Sequence, residues 1–296
     1  MIAGLNVKFN IGKFSKRTSL FNQGMMPLLY SERQGKWLRC GNDISYVQTR
    51  RKTLDDKNSY ILTFTHQFEF SNDKCYFAYS YPYTYSDLQD DLLSLQLDTL
   101  KSKVVRRSLL CRTLAGNRCD ILTITERASS LADLQSRQGV VISARVHPGE
   151  TSASWICKGI IEFLTSDCDS AIALRRAFVF KVIPMLNPDG VVNGNYRTSL
   201  AGVDLNRRWN NPHKVNHPTI YNTKMLLKRF QKARDIVVSC DIHGHSRREG
   251  LFMYGCSDIV SCRKQKLSSY IIPDIFASKC LFFNKESCTF RVQVRR

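Results

Sequence analysis

The sequence predicts an α/β fold whose strands are covered by helices on both faces, preceded by a smaller β-rich domain. Two observations predict it. Residues 140–146, 178–186 and 236–242 are short and almost continuously apolar, as in strands buried on both faces, and helical stretches separate them. Residues 60–70, nearer the N-terminus, alternate between apolar and polar side chains, which is the period of a half-buried strand.

The β-rich domain is predicted to cover residues 1–85, and the α/β domain residues 86–296. One face of the clearest early strand carries Tyr60, Leu62, Phe64, Phe68 and Phe70. A helix is then predicted to begin near Ser86, which has capping-box spacing to Gln89. Its predicted apolar face consists of Leu88, Leu92 and Leu95.

A second helix is predicted between the first two apolar runs, where Thr151 or Ser152 can act as the N-cap. Its apolar residues are expected to face the core. They are Trp155, Ile156, Ile160, Phe163 and Leu164.

Composition indicates a folded protein of the cytosol. The 296 residues, 43% of them hydrophobic, can bury a sizeable core. The eleven cysteines are an odd number without a C-x-x-C pair, which favours reduced thiols over a disulfide framework or a zinc ribbon. No signal-peptide core and no run of roughly 20 apolar residues is present, so we expect a soluble protein without a membrane partner.

The formal net charge of +19 attracts polyanions at long range, whether nucleic acid, anionic membrane or acidic protein segments. Basic clusters at residues 101–107, 246–249 and 262–266 carry no nucleic-acid-binding motif. We therefore interpret them as solvated surface and expect no nucleic-acid partner.

Polar residues follow each apolar run directly. They are His-Pro-Gly-Glu at 147–150, Asn-Pro-Asp-Gly at 187–190 and His-Gly-His at 243–245. Ligands of open α/β sheets bind at the carboxyl ends of the strands, so these three segments are expected to converge on one crevice.

The first segment suits a metal ion. Pro148 biases His147 away from helical geometry and Gly149 permits a tight turn, so His147 and Glu150 can reach one point. Catalytic zinc takes three protein ligands, two His and one Glu being a known set, and keeps a fourth position open for water. His243, at the tip of another strand, is the natural third ligand.

Three neighbouring residues have alternative interpretations. His245 lies on the same side of its strand as His243 and competes as a ligand, although it stands one step further into the turn. Asp241 shares that face and either orients a ligand or simply ends the strand. Asp204 is the better candidate for the outer carboxylate that accepts the second N–H of a metal-bound imidazole.

The Gly-punctuated segment 187–209 also contains Arg197, Asn206 and Arg207. Arginine forks match carboxylates, whereas a carbonyl that develops negative charge needs a fixed cation beside the metal. Two roles are thus available to two arginines. The alternative is that both are surface residues of a very basic protein.

Several blocks resemble the zinc metallocarboxypeptidases, specifically the cytosolic carboxypeptidases that trim glutamates from tubulin tails. The blocks are "YPYTYSDLQ", "LLCRTLAGN", "ISARVHPGET", "KVIPMLNPDGVVNGNYRTSLAGVDLNRRW", "CDIHGHSR" and "FMYGC", with "SLFNQGMMPLLYS" upstream. The likeness runs along nearly the whole chain. It implies a carboxypeptidase-type mixed sheet with helices on both faces, behind a small β-sandwich.

The resemblance also implies roles for individual residues. It implies one Zn²⁺ per chain, held by His147, Glu150 and His243. Arg197 would stand at the scissile carbonyl, and Asn206 with Arg207 would hold the terminal carboxylate. The implied reaction is hydrolysis of C-terminal or branch-point glutamates from acidic protein tails, tubulin among them. We expect a cytosolic monomer, associated with microtubules through its substrate.

The sequence departs from the family after "SCTFRVQ" at residues 287–293. The family continues with a Lys-Glu-Gly-Thr-Gly-Arg-like segment and a strand bearing the general-base glutamate, whereas here "VRR" follows. Glu249 and Glu286 lie beyond His243 in unmatched contexts, so no general base is assigned. We expect a chain truncated before that glutamate, with an incomplete first domain. The alternative function is a catalytically impaired zinc-binding module for acidic tails.

Overall fold

The computed structural model describes residues 2–52, 58–255 and 263–290. The strands within these ranges are β1 (Asn6–Phe14), β2 (Leu28–Ser31), β3 (Lys36–Arg39), β4 (Asn42–Lys52), β5 (Asn58–Gln67), β6 (Cys75–Ala78), β7 (Val105–Arg112), β8 (Arg118–Ile124), β9 (Gln138–Ala144), β10 (Phe178–Ile183) and β11 (Ile236–Ile242). The α-helices are α1 (Tyr85–Leu97), α2 (Leu131–Ser136), α3 (Thr151–Leu164), α4 (Asp169–Ala177), α5 (Pro188–Val192), α6 (Pro218–Ala233) and α7 (Arg263–Lys279).

A five-stranded mixed sheet has the order β11-β9-β10-β8-β7. β9 pairs in parallel with β10 and β11, whereas β8 pairs antiparallel with β10 and β7. The three predicted apolar runs are β9, β10 and β11. Because these strands are parallel neighbours, their carboxyl ends meet at one edge of the sheet, as expected.

Helices cover both faces of this sheet, which confirms the predicted α/β architecture. Val140 clusters with Leu92 of α1 and Cys157 of α3. Val141, the next residue along β9, clusters instead with Phe230 of α6. Successive residues of a strand point to opposite faces, so α1 and α3 lie on one face and α6 on the other.

Helix α1 confirms the predicted face, but its N-terminus differs. Its buried residues are Leu88, Leu92 and Leu95. The capping box is formed by Thr84 and Asp87, not by Ser86 and Gln89. Thr84 is extended, as an N-cap must be, and the Asp87 carboxylate gains from the positive end of the helix dipole.

Helix α3 begins at Thr151 without a side-chain cap, so the predicted capping by Thr151 or Ser152 is wrong. Trp155 and Phe163, predicted to be buried, are each 44% exposed. The buried residues are Ala153, Ser154, Cys157, Ile161 and Leu164. Small side chains on this face let the helix lie close to the sheet, which rotates the large aromatic residues outward.

The N-terminal region contains two three-stranded sheets, with the orders β1-β5-β4 and β3-β2-β6. Tyr60, Leu62 and Phe64 of β5 are buried, as the alternating pattern predicts, and so is Phe68. The strand ends at Gln67, however, and Phe70 beyond it is only partly buried. By its internal contacts the chain divides into two compact units, and the mixed sheet lies within the unit that contains Thr65–Gly244. The predicted boundary between residues 85 and 86 stays a prediction.

The cysteines of the described ranges are free thiols. In the same ranges, no helix combines the length and the apolar character that a membrane crossing requires.

Candidate metal centre

Three side chains bring metal-binding atoms together beside the carboxyl ends of β9 and β11. His147 and Glu150 lie in the turn between β9 and α3, and His243 directly follows β11. One ligand atom from each residue lies within 4.8 Å of the others. This is the only such group of His, Cys, Asp and Glu side chains in the described part of the chain.

The distances between the ligand atoms fit a single zinc ion. Nδ1 of His147 lies 3.0 Å from Oε1 of Glu150, and Nδ1 of His243 lies 3.1 Å from Oε2. The two Nδ1 atoms are 3.2 Å apart. A tetrahedral ion with bonds of about 2.0 to 2.1 Å separates neighbouring ligand atoms by roughly 3.3 Å.

The outer nitrogens of both rings face carboxylates. Nε2 of His147 lies 3.0 Å from Oδ1 of Asp204, and Nε2 of His243 lies 2.8 Å from Oδ2 of Asp241. An ionised carboxylate only accepts hydrogen bonds, so each Nε2 carries a proton. Two Nδ1 lone pairs therefore face each other and the Glu150 oxygens, and they repel unless a cation or a proton lies between them. The chemistry of these residues fits zinc.

The same contacts set the ionisation of the group. Burial alone would raise the pKa of Glu150, but hydrogen bonds from the two histidines and from the Gly244 N–H outweigh it and hold the pKa at about 2. Burial would lower the pKa of His243, yet the carboxylates of Asp241 and Glu150 outweigh it and raise the pKa to about 9. Without a metal, a proton on His243 thus balances the Glu150 carboxylate, and a bound cation would take the place of that proton.

Gly149 is required by close packing within the ligand turn. Its N–H donates to the carbonyl of Tyr196 at 2.7 Å. A Cβ atom at this position would lie 2.7 Å from that carbonyl oxygen and 2.5 Å from the Tyr196 ring. The glycine is therefore needed because a side chain would block the approach of Tyr196. It is not needed for a positive φ, which Gly149 does not have.

Asp204 gathers the other predicted site residues around His147. Nε and Nη2 of Arg197 each lie 2.9 Å from Oδ2 of Asp204, and Nε of Arg207 lies 3.9 Å from it. The backbone N–H of Asn206 donates to Oδ1 at 2.9 Å, and its Nδ2 lies 3.5 Å from Nε2 of His243. All four residues of the 187–209 segment that the sequence singled out therefore lie beside the histidines.

Asp241 contacts the predicted ligand His243, which favours the orienting role over a simple strand end. Oδ2 faces His243, while Oδ1 accepts a hydrogen bond from Ser143 Oγ at 2.7 Å. Ser143 and Asp241 are directly paired in register between β9 and β11. The sequence analysis did not identify Ser143. The polar residue in an otherwise apolar run was the available signal.

His245, Glu249 and Glu286 contribute no atom to this metal-binding group. Nδ1 of His245 accepts the backbone N–H of Arg248 at 3.0 Å, and its ring packs against Phe252. Glu249 and Glu286 are exposed. His243 thus remains the preferred third ligand.

Known proteins that are similar in sequence to this chain include carboxypeptidases. The model of the zinc carboxypeptidase family, Peptidase_M14, matches residues 94–258. Cytosolic carboxypeptidase 3 of Bos taurus is 42% identical, with 98% of this chain and 29% of that protein covered. Cytosolic carboxypeptidase 2 of Danio rerio is 44% identical, with 99% and 41% covered. The chain therefore spans less than half the length of these relatives.

Solved structures share the fold. A metallo-carboxypeptidase from Burkholderia cenocepacia superposes with a TM-score of 0.69 at 23% identity, covering 96% of this chain and 73% of that one. A metallo-carboxypeptidase from Pseudomonas aeruginosa gives 0.67 at 21% identity, covering 93% and 68%. The predicted carboxypeptidase-type mixed sheet is confirmed by this likeness.

Proposed function

The chain belongs to the zinc carboxypeptidase family, and we propose that it forms the zinc-binding core of a metallocarboxypeptidase. The proposed reaction is hydrolysis of C-terminal or branch-point glutamates from acidic protein tails such as those of tubulin. The observation that carries the proposal is the convergence of His147, Glu150 and His243, with arginines beside them. Because relatives are named cytosolic carboxypeptidases, we propose that the activity lies in the cytosol. We further propose a monomer that associates with microtubules through its substrate.

One Zn²⁺ per chain would be held by His147, Glu150 and His243. When bound, zinc supplies Lewis-acid polarisation of a carbonyl and lowers the pKa of a water to about 7. Asp204 and Asp241 keep the protons on Nε2 of the two rings, so that each Nδ1 stays aimed at the ion.

The basic residues of the site supply the substrate contacts. The side chains of Arg197 and Arg207 are each 43% exposed, so both can reach a bound peptide. Arg197, fixed by Asp204, stabilises the negative charge that develops on the scissile carbonyl oxygen. Asn206 and Arg207 hold the terminal carboxylate, for which a guanidinium fork is the matching donor.

The charge of the whole chain favours an acidic substrate. A net charge of +19 draws a glutamate-rich tail toward the protein and speeds its association. Salt screens this attraction over about 10 Å at 0.1 M ionic strength, so the apparent KM for such tails should rise with salt.

The proposal is tested by glutamate release from a synthetic peptide that ends in several glutamates, incubated with folded, zinc-loaded protein. Two peptides serve as controls, one with an amidated C-terminus and one ending in alanines. The proposal is supported if only the peptide that ends in free glutamates is cleaved and if His147→Ala abolishes that cleavage. Zinc-dependent binding without turnover would instead indicate a binding module for acidic tails, and the absence of both would overturn it.

A further inference from the structure

Arg145 is a buried arginine directly behind the metal-ligand turn. It lies two residues before His147, just past the end of β9, and is only 3% exposed. Its backbone φ is +56°, in the left-handed region that residues other than glycine rarely adopt. Such strain persists only where the surrounding structure holds the residue, and it occurs preferentially at functional sites.

The guanidinium of Arg145 ties the turn to helix α3. Nε donates to the carbonyl oxygen of Pro148 at 2.8 Å, and Nη1 donates to Oγ of Ser154 at 2.7 Å. Pro148 stands between His147 and Glu150, and Ser154 is itself 3% exposed. One side chain therefore joins the backbone of the ligand turn to a buried point in the helix that follows.

If Arg145 only filled space in the core, its burial would destabilise the fold. The hydrogen bonds of Arg145 described above end on neutral oxygens, so they bring no negative charge to its buried guanidinium. Burying a cation in this way destabilises a fold unless the geometry compensates. An apolar side chain would fill the space without the desolvation or the need to satisfy donors.

We propose that Arg145 is a positioning residue for the metal centre: by holding the Pro148 carbonyl it fixes His147 and Glu150 at the spacing that metal ligation requires. The inference rests on the proposed function, since it assumes that these residues bind zinc. Loss of the contact lets the turn relax and moves both ligand atoms from their places opposite His243. Loss of an outer partner of metal ligands typically lowers metal affinity about 10- to 100-fold.

The test compares Arg145→Lys with Arg175→Lys. Arg175 is the control because it is 4% exposed and donates to two backbone carbonyls, those of Leu164 and Ser166, although its Nε also pairs with the Glu126 carboxylate at 3.0 Å. Zinc affinity is measured by competition with a chromophoric chelator, and unfolding by urea is measured on the metal-free proteins. Both variants should be destabilised, but only Arg145→Lys should lose zinc affinity, by about 10- to 100-fold.

A milder variant, Ser154→Ala, tests the inference even if Arg145→Lys does not fold. It removes one partner of the guanidinium and should weaken zinc binding several-fold, with a changed absorption spectrum of the Co²⁺-substituted protein. Wild-type affinity and spectrum in a folded Arg145→Lys or Ser154→Ala protein would overturn this inference alone. A folded wild-type protein that binds no zinc would overturn the proposed function, and the inference with it.

Discussion

Oδ1 of Asp204 lies 3.0 Å from Nε2 of His147, on the opposite side of the ring from the nitrogen that faces Glu150 and His243. The other oxygen of the same carboxylate pairs with Arg197. One aspartate thus fixes a proposed zinc ligand and a proposed substrate residue together.

Replacing Asp204 should weaken the metal site. We expect Asp204→Ala to lower zinc affinity about 10- to 100-fold, because the His147 ring loses the acceptor that holds its tautomer and orientation. Asp133→Ala is the matched control, since Asp133 also pairs with an arginine, Arg137, at 3.0 Å. Chelator competition measures both, and equal affinity in the two variants would contradict the orienting role.

Gly149→Ala should distort the ligand turn. The added Cβ would meet the Tyr196 carbonyl, and overpacking of this kind costs about 1 to 3 kcal/mol of the free energy of unfolding. We expect zinc affinity to fall as well. Gly159→Ala is the control, because a Cβ there meets nothing within 4 Å and the residue lies inside α3. It should stabilise by about 0.5 to 1 kcal/mol and leave zinc binding unchanged.

Replacing Arg197 and replacing Arg207 should change different kinetic parameters. Arg207→Ala should mainly raise KM, because it weakens capture of the terminal carboxylate, whereas Arg197→Ala should mainly lower kcat, because its charge acts on the transition state. Steady-state kinetics on a glutamate-tailed peptide measures both. Zinc content must be checked first, since Arg197 also contacts Asp204. The same change in both parameters in both variants would be incompatible with these roles.

Asp120 should make stability depend on pH. Its side chain is fully buried, and Oδ2 and Oδ1 lie 2.9 and 2.8 Å from Nη2 of Arg107 and Arg118, respectively. Burial would raise its pKa, but the two arginines outweigh it and lower the pKa below the ordinary value. Its contribution is therefore complete above the unfolded pKa of about 3.9 and lost as the pH falls through the lower folded pKa.

Asp120→Asn should accordingly cost about 3 to 5 kcal/mol at pH 7, the usual effect of breaking a buried ion pair. The difference from wild type should shrink below about pH 4. Urea unfolding of the metal-free proteins from pH 7 to pH 3 measures it. A difference that stays constant over this range would refute the assignment.

The strands that carry the site were predictable because their signal is local. Residues 236–242 form β11 at the bounds that their apolar run indicated. The convergence of His147, Glu150 and His243 was predictable because parallel strands end at one edge of a sheet. Polar residues directly after each apolar run indicate this edge from the sequence alone.

Other features depend on tertiary packing, which the sequence pattern does not contain. Periodicity gives the repeat of α3 but not its phase, which is set by how closely Ala153 and Cys157 approach the sheet. The role of Arg145 is equally hidden, because it depends on where Pro148 and Ser154 stand in space. Asp241 remained open for the same reason.

Zinc stoichiometry tests the central proposal most directly. Elemental analysis of purified, monodisperse protein would be compared with His243→Ala and, as the matched control, His245→Ala. We predict one zinc per chain in the wild-type protein and in His245→Ala, and none in His243→Ala. Absence of zinc from the folded wild-type protein, or its retention in His243→Ala, would contradict the proposed metal centre.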